Sequence, residues 1–110
     1  MQNLKSLWKE TKTRFDGLEK ELVDCYISFI REVAKYYLQQ GRRVFFKENN
    51  VVHWGEGNFG WLIIEGGEDV DEVFGEYISE IRFESKISKE IIKSYTEIKE
   101  ENLKDIKYGI

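Results

Sequence analysis

Residues 51–64 read VVHWGEGNFGWLII. Two apolar runs, 51–54 and 61–64, flank a connection that holds three glycines, Gly55, Gly57 and Gly60. Both runs are short and built from β-branched and aromatic residues, which is strand chemistry. The segment therefore predicts a hairpin, with Trp54 and Trp61 placed to pair across it. Upstream, Arg42-Arg43-Val44-Phe45-Phe46-Lys47 predicts another strand, and Glu48-Asn49-Asn50 a turn, because Asn tolerates positive φ. The expected sheet is a three-stranded meander of 42–47, 51–54 and 61–65. Consecutive apolar residues in all three runs predict a sheet covered on both faces, or covered on one and sticky on the other.

The connection Gly55-Glu56-Gly57-Asn58-Phe59-Gly60 also satisfies the spacing G-x-G-x-x-G. A dinucleotide-binding fingerprint needs that loop to open a helix, whose first N–H groups hold the pyrophosphate. Here Trp61-Leu62-Ile63-Ile64 follows, and that is a strand. The six residues from Gly55 to Gly60 instead resemble the strand–loop–strand glycine-rich loop of protein kinases, with its pattern GEGxFG. That resemblance implies a backbone cradle for phosphate, closing over a nucleotide. It covers those six residues alone: residues 65–85 hold no lysine to match V-A-I-K, and neither H-R-D nor D-F-G occurs. No basic residue lies between Lys47 and Arg82, so a phosphate at this loop would need its countercharge from elsewhere, such as Arg42 or Arg43.

The N-terminal forty residues read as helix. Leu4, Trp8, Thr11, Phe15, Leu18, Leu22, Cys25 and Phe29 step by four and three along one stripe. Asp16-Gly17 interrupts the pattern, and Asp16 with Glu19 makes an N-cap and N3 pair, so helices over 3–14 and 17–39 are expected, with one unbroken helix as the alternative. Beyond Leu22 the apolar arc widens to Val23, Tyr26, Ile30, Val33, Ala34 and Tyr37, which favours packing on a sheet over a coiled-coil dimer. Gly41 is placed to end the helix in a left-handed C′ conformation. Residues 68–87 support both a helical and an alternating pattern; the reading adopted is a turn or short helix at 69–74 and a fourth strand near 77–85, with Glu76, Glu80, Arg82 and Glu84 on its solvent face. Ser88 then caps a last helix, with Ile87 and Ile92 as a hydrophobic staple and Ile91, Tyr95, Ile98, Leu103 and Ile106 on its apolar arc, ending near Lys107. The expected fold is a single α+β domain over residues 1–110: N-terminal helices, a three- or four-stranded mainly antiparallel sheet, and a C-terminal helix.

Composition bounds the function. A chain of 110 residues with 41% hydrophobic and 15% aromatic content is globular rather than disordered. The one cysteine, Cys25, excludes an intramolecular disulfide and suits a reducing cytoplasm. No apolar run approaches membrane-spanning length, so a soluble cytoplasmic protein is expected. One histidine, His53, and one cysteine do not make the usual three or four ligands of a zinc site, and no nucleophile–base pair is legible. The chain is thus read as not an enzyme, with no cofactor and no metal.

Charge is unevenly spread within the net −4: residues 51–85 hold one basic and nine acidic residues, while 1–50 are net positive. Glu65, Glu68, Asp69, Asp71, Glu72 and Glu76 lie close together, without the twelve-residue order of an EF-hand. With Trp54, Phe59 and Trp61 as aromatic anchors, and Phe74 and Tyr77 nearby, these residues are expected to form an acidic contact surface that steers a cationic partner. The expected function is a small binding protein, an intracellular inhibitor of the toxin-immunity kind that occludes a basic protein such as a nuclease. The alternatives are phosphate or nucleotide binding through the GEGNFG loop, and a small nucleic-acid platform made of Arg42, Arg43 and Lys47 beside Phe45 and Phe46. Oligomeric state is left open.

Overall fold

Helix α1 (Leu4–Phe15) and helix α2 (Glu19–Gln39) pack side by side. In the computed structural model, which describes residues 4–15, 19–48, 60–76, 78 and 80–107, the Trp8 ring lies 5.1 Å from that of Phe29. One straight helix through both residues would hold them about 30 Å apart, at 1.5 Å rise per residue. The unbroken-helix alternative therefore does not hold, although Asp16 and Gly17 themselves lie outside the described residues. The widened arc of α2 does what its composition demands: Tyr26, Phe29, Ile30, Val33, Ala34 and Tyr37 are all buried, whereas Cys25 is only half-buried and free.

α2 ends as glycine permits. Gly41 sits at φ 78, its N–H donates to the Leu38 carbonyl, and the Arg42 N–H donates to the Tyr37 carbonyl. These two bonds are the pair that closes a helix around a left-handed C′ residue, and they deliver Arg42 and Arg43 to the start of the sheet.

Strand β1 (Val44–Glu48) pairs antiparallel with β2 (Gly60–Glu65), Phe45 opposite Ile63 and Lys47 opposite Trp61. The expected strand at 51–54, His53 and most of the glycine-rich loop lie outside the described residues. After β2, helix α3 (Val70–Phe74) crosses over and β3 (Ile81–Glu84) pairs with β2 in parallel, Leu62 opposite Ile81. Helix α4 (Lys89–Ser94) then leads into β4 (Thr96–Ile98), antiparallel to the other edge of β1, and a 3₁₀ segment, Glu100–Asp105. The strand order is β3-β2-β1-β4.

Two expectations are corrected here. The sheet is mixed rather than mainly antiparallel, because Gly66-Gly67 and α3 carry the chain across to a parallel edge instead of turning it back; strand, helix, strand is the ordinary route to a parallel pair. The C-terminal helix over 88–107 is replaced by a short helix, a strand and a 3₁₀ segment. Ser88 caps α4 as expected, its Oγ accepting from the Ile91 N–H at 3.3 Å, but the helix closes at Tyr95. Beyond it Thr96 and Ile98 take alternate positions against Phe46 and Val44, and Ile98 is fully buried. The open edge of β1 offers unpaired backbone groups, and satisfying them outweighs the mild helical preference of TEIKEEN. Ile92 is 52% exposed, so the expected staple is not its role.

Both faces of the sheet are covered. Val44, Phe46, Leu62, Ile64 and Ile98 face α2 and join Phe29, Val33 and Phe74 in the larger apolar cluster. Phe45 and Ile63 face the other way, under Ile87, Ile91 and Tyr95. Among the described residues no helix is long and apolar enough to cross a membrane.

α3 is only five residues long and depends on its ends. The Asp69 carboxylate accepts from the N–H groups of Asp71 (2.8 Å) and Glu72 (3.2 Å), satisfying donors the helix cannot. Replacing Asp69 with Ala is expected to cost about 1 kcal/mol in urea unfolding, while the charge-removing but cap-preserving Asp69→Asn costs markedly less.

Candidate functional site

Of the six clustered carboxylates, four are engaged by other groups of the same chain. Glu65, at the end of β2, shares the side-chain parity of Trp61 and Ile63 and so faces α4: its Oε2 accepts from the Ile87 N–H at 3.2 Å and lies 3.8 Å from Arg43. Glu68 pairs with Arg42. Asp69 is the cap of α3. Glu76 forms an ion pair with Lys12 of α1 at 2.7 Å. Asp71 and Glu72 remain, both exposed on the first turn of α3, and their carboxylates form no ion pair among the described residues. Their place beside the positive end of the helix adds a few tenths of a kcal/mol to it, and their heads stay in water.

Of the expected aromatic anchors only Trp61 is among the described residues. Trp54, Phe59 and Tyr77 are outside the described residues. Phe74 is 2% exposed and packs against Phe29 at 5.8 Å between ring centres, so it belongs to the core. Trp61 is half-buried on the α4 face, whereas α3 packs against α1 on the opposite face through the cluster that contains Phe74. The sheet itself stands between Trp61 and the exposed acids of α3.

The basic residues are similarly committed. The Arg42 guanidinium stacks over the Tyr37 ring at 5.2 Å and donates from Nε to the Glu65 carbonyl at 2.6 Å, with Nη1 on Glu68. It lies against Gly66, whose φ is +149 and where an added Cβ would fall 1.3 Å from Nη2. Only glycine admits both that conformation and that approach. Arg43 lies over the Phe45 ring at 5.0 Å and near Glu65 and Glu97, and Lys47 sits 5.9 Å from the ring centres of both Trp61 and Tyr95. Arg42 and Arg43 thus meet carboxylates of the same chain, and Lys47 is partnered by rings.

A cleft of about 360 Å³ opens where α2 ends and β4 leads into the 3₁₀ segment. Arg42, Arg43 and Lys99 line it together with Glu97, Glu100 and Glu101, so its formal charges cancel and it favours neither an anion nor a cation. The Glu97 carboxyl is held below its usual value, chiefly by the hydrogen bond from Lys99 and, against some desolvation, by the charges of Lys99 and Arg43. Among the described residues no group of three or more His, Cys, Asp or Glu is placed to hold a metal.

One polar feature escaped the sequence reading. Glu80, expected on a solvent face, is 7% exposed and accepts a 2.7 Å hydrogen bond from the Tyr26 hydroxyl of α2. Burial first, then the charge of Glu80 and its hydrogen bond, push the Tyr26 phenol well above its ordinary value. The Trp8 ring meets Tyr26 edge-on at 6.1 Å, and its Nε1 is buried without a partner among the described residues. A glutamate immediately before a phenylalanine-bearing strand carries no signal of this; the contact joins residues fifty-four apart.

No protein-family model, curated protein or solved structure matches the chain.

Proposed function

We propose that this chain is a non-enzymatic binding protein of the toxin-immunity kind, which works in the cytoplasm by occluding a basic protein partner such as a nuclease, and that α3 is the surface that meets it. The observation that carries this reading is the pair Asp71 and Glu72: exposed, adjacent and without an ion pair among the described residues, on a helix whose neighbouring acids are held in place by Arg42, Lys12 and the helix cap. Asp71 and Glu72, without an ion pair among the described residues, give with the neighbouring Asp69 carboxylate a local negative field, which speeds encounter with a cationic surface and discriminates against polyanions. The same field opposes nucleic acid, and Arg42 and Arg43, which would have to contact it, already face Glu68, Glu65 and Glu97.

The test uses the unmodified chain and the double variant Asp71→Lys/Glu72→Lys as parallel baits in lysate of the native host, with captured proteins identified by mass spectrometry. Glu68, Asp69 and Glu76 are left alone because reversing them would disturb the fold. A basic protein held by the unmodified chain and lost from the equally folded variant supports the reading. The same captured set on both baits rejects it.

A further inference from the structure

We propose that the chain self-associates through the outer edge of β3, two copies pairing antiparallel about a two-fold axis that passes through Phe83. Among the described residues β3 is the terminal strand of the sheet. The Leu62 N–H bonds the Glu80 carbonyl and the Gly66 N–H bonds the Glu84 carbonyl. In a parallel ladder the bonding residues alternate, so residues 80, 82 and 84 turn their backbone groups toward β2. Ile81 and Phe83 turn theirs outward. An antiparallel copy centred on Phe83 therefore meets an N–H and a C=O already aimed at it, and the two Phe83 residues exchange both bonds.

Charge selects this register over its neighbours. Arg82 and Glu84 share the face of Ile63 and Glu65, and within one chain Arg82 Nε lies 2.6 Å from a Glu84 carboxylate oxygen. With the axis at Phe83, Arg82 of each copy stands opposite Glu84 of the other, and four charges alternate across the seam. With the axis one residue away in either direction, Arg82 faces Arg82 or Glu84 faces Glu84, and like charges directly opposite are unfavourable. Charged side chains on an edge strand ordinarily discourage pairing; here they discourage the two registers adjacent to this one. The half-buried Phe83 ring, 5.4 Å from Tyr37, gains its copy as a neighbour on the helical face. A four-residue edge buries less than a standard interface, so the dimer is a weak one.

Sedimentation equilibrium up to about 1 mM, the range in which sub-standard interfaces associate, is expected to show mass rising from 13.1 kDa toward twice that value. Arg82→Glu and Glu84→Arg, tested separately, place like charges across the seam and weaken association by about tenfold or more, since each copy contributes one reversed pair. An equimolar mixture of these two variants restores complementarity and dimerises, as does the double exchange in one chain. In the unmodified chain, exchange of the Phe83 amide slows as concentration rises. A monomer throughout this range, single variants that dimerise like the unmodified chain, a mixture that stays monomeric, or Phe83 exchange independent of concentration would each overturn the proposal.

Discussion

Replacing Phe29 with Ala is expected to destabilise the protein by about 4 kcal/mol, the upper range for deleting a ring from a packed interior. Phe29 is 1% exposed and stands where three elements meet: Trp8 of α1 at 5.1 Å, Tyr26 of its own helix at 6.2 Å, and Phe74 of α3 at 5.8 Å. The tilted and edge-on arrangement adds quadrupole attraction to the buried area. Rings on two different helices and a crossover cannot all close on the vacated space, so a cavity remains. Domains of this size are stable by only about 5–15 kcal/mol, which makes the loss a large share of the whole. Urea unfolding with an unchanged m-value measures it, and a loss below about 1 kcal/mol would show that Phe29 is not the joint between helices and crossover.

Stability is expected to fall steeply above pH 10, and Tyr26 is the main local cause. An unfolded phenol releases its proton near pH 10. Folded Tyr26 keeps its proton, because desolvation and the Glu80 carboxylate oppose a second negative charge beside the first. Above pH 10 the unfolded state therefore binds fewer protons, and unfolding becomes easier as pH rises toward the folded value; below pH 10 the full contribution is present. The slope from one such group approaches about 1.4 kcal/mol per pH unit above pH 10. Tyr37 adds to it in the same direction, raised by its own burial and by Glu68 against the opposing charge of Arg42. Unfolding free energies at pH 9, 10 and 11 for the unmodified chain and Tyr26→Phe isolate the effect: the variant loses about 2 kcal/mol at neutral pH, as a hydrogen bond to a charged acceptor is removed, and shows the shallower alkaline slope. Parallel slopes would mean that Tyr26 and Glu80 are not coupled.

What the sequence discloses about this fold depends on how local the deciding interaction is. Helix spacing from Leu4 to Tyr37, the end at Gly41 and the strands through Phe45 and Ile63 rest on neighbours within a few residues, and the structure has them. The parallel placement of β3 depends on which edge a crossover reaches, and alternation in Ile81-Arg82-Phe83-Glu84 reads the same in either direction. β4 was hidden because Ile91, Ile98 and Ile106 also fit one helical arc. Only the open edge of β1, fifty residues earlier, decides that Thr96 to Ile98 extends. The acidic cluster was visible as composition, but its division was not. Glu65 and Trp61 go to one face of the sheet by strand parity, α3 goes to the other, and Arg42, brought in by the turn at Gly41, claims Glu68. Glu80 fared worst, since a strand-like alternation assigns it to water while the end of the crossover turns it inward to Tyr26.

The role of α3 as the contact surface is tested most directly by titration calorimetry of the captured basic partner against the unmodified chain and against Asp71→Lys/Glu72→Lys, each at low and high salt. If α3 makes the contact, the variant binds at least about tenfold more weakly, a loss of about 1.4 kcal/mol or more, and the salt dependence seen with the unmodified chain largely disappears. Equal affinity and equal salt dependence for the two proteins, with both folded, would contradict it.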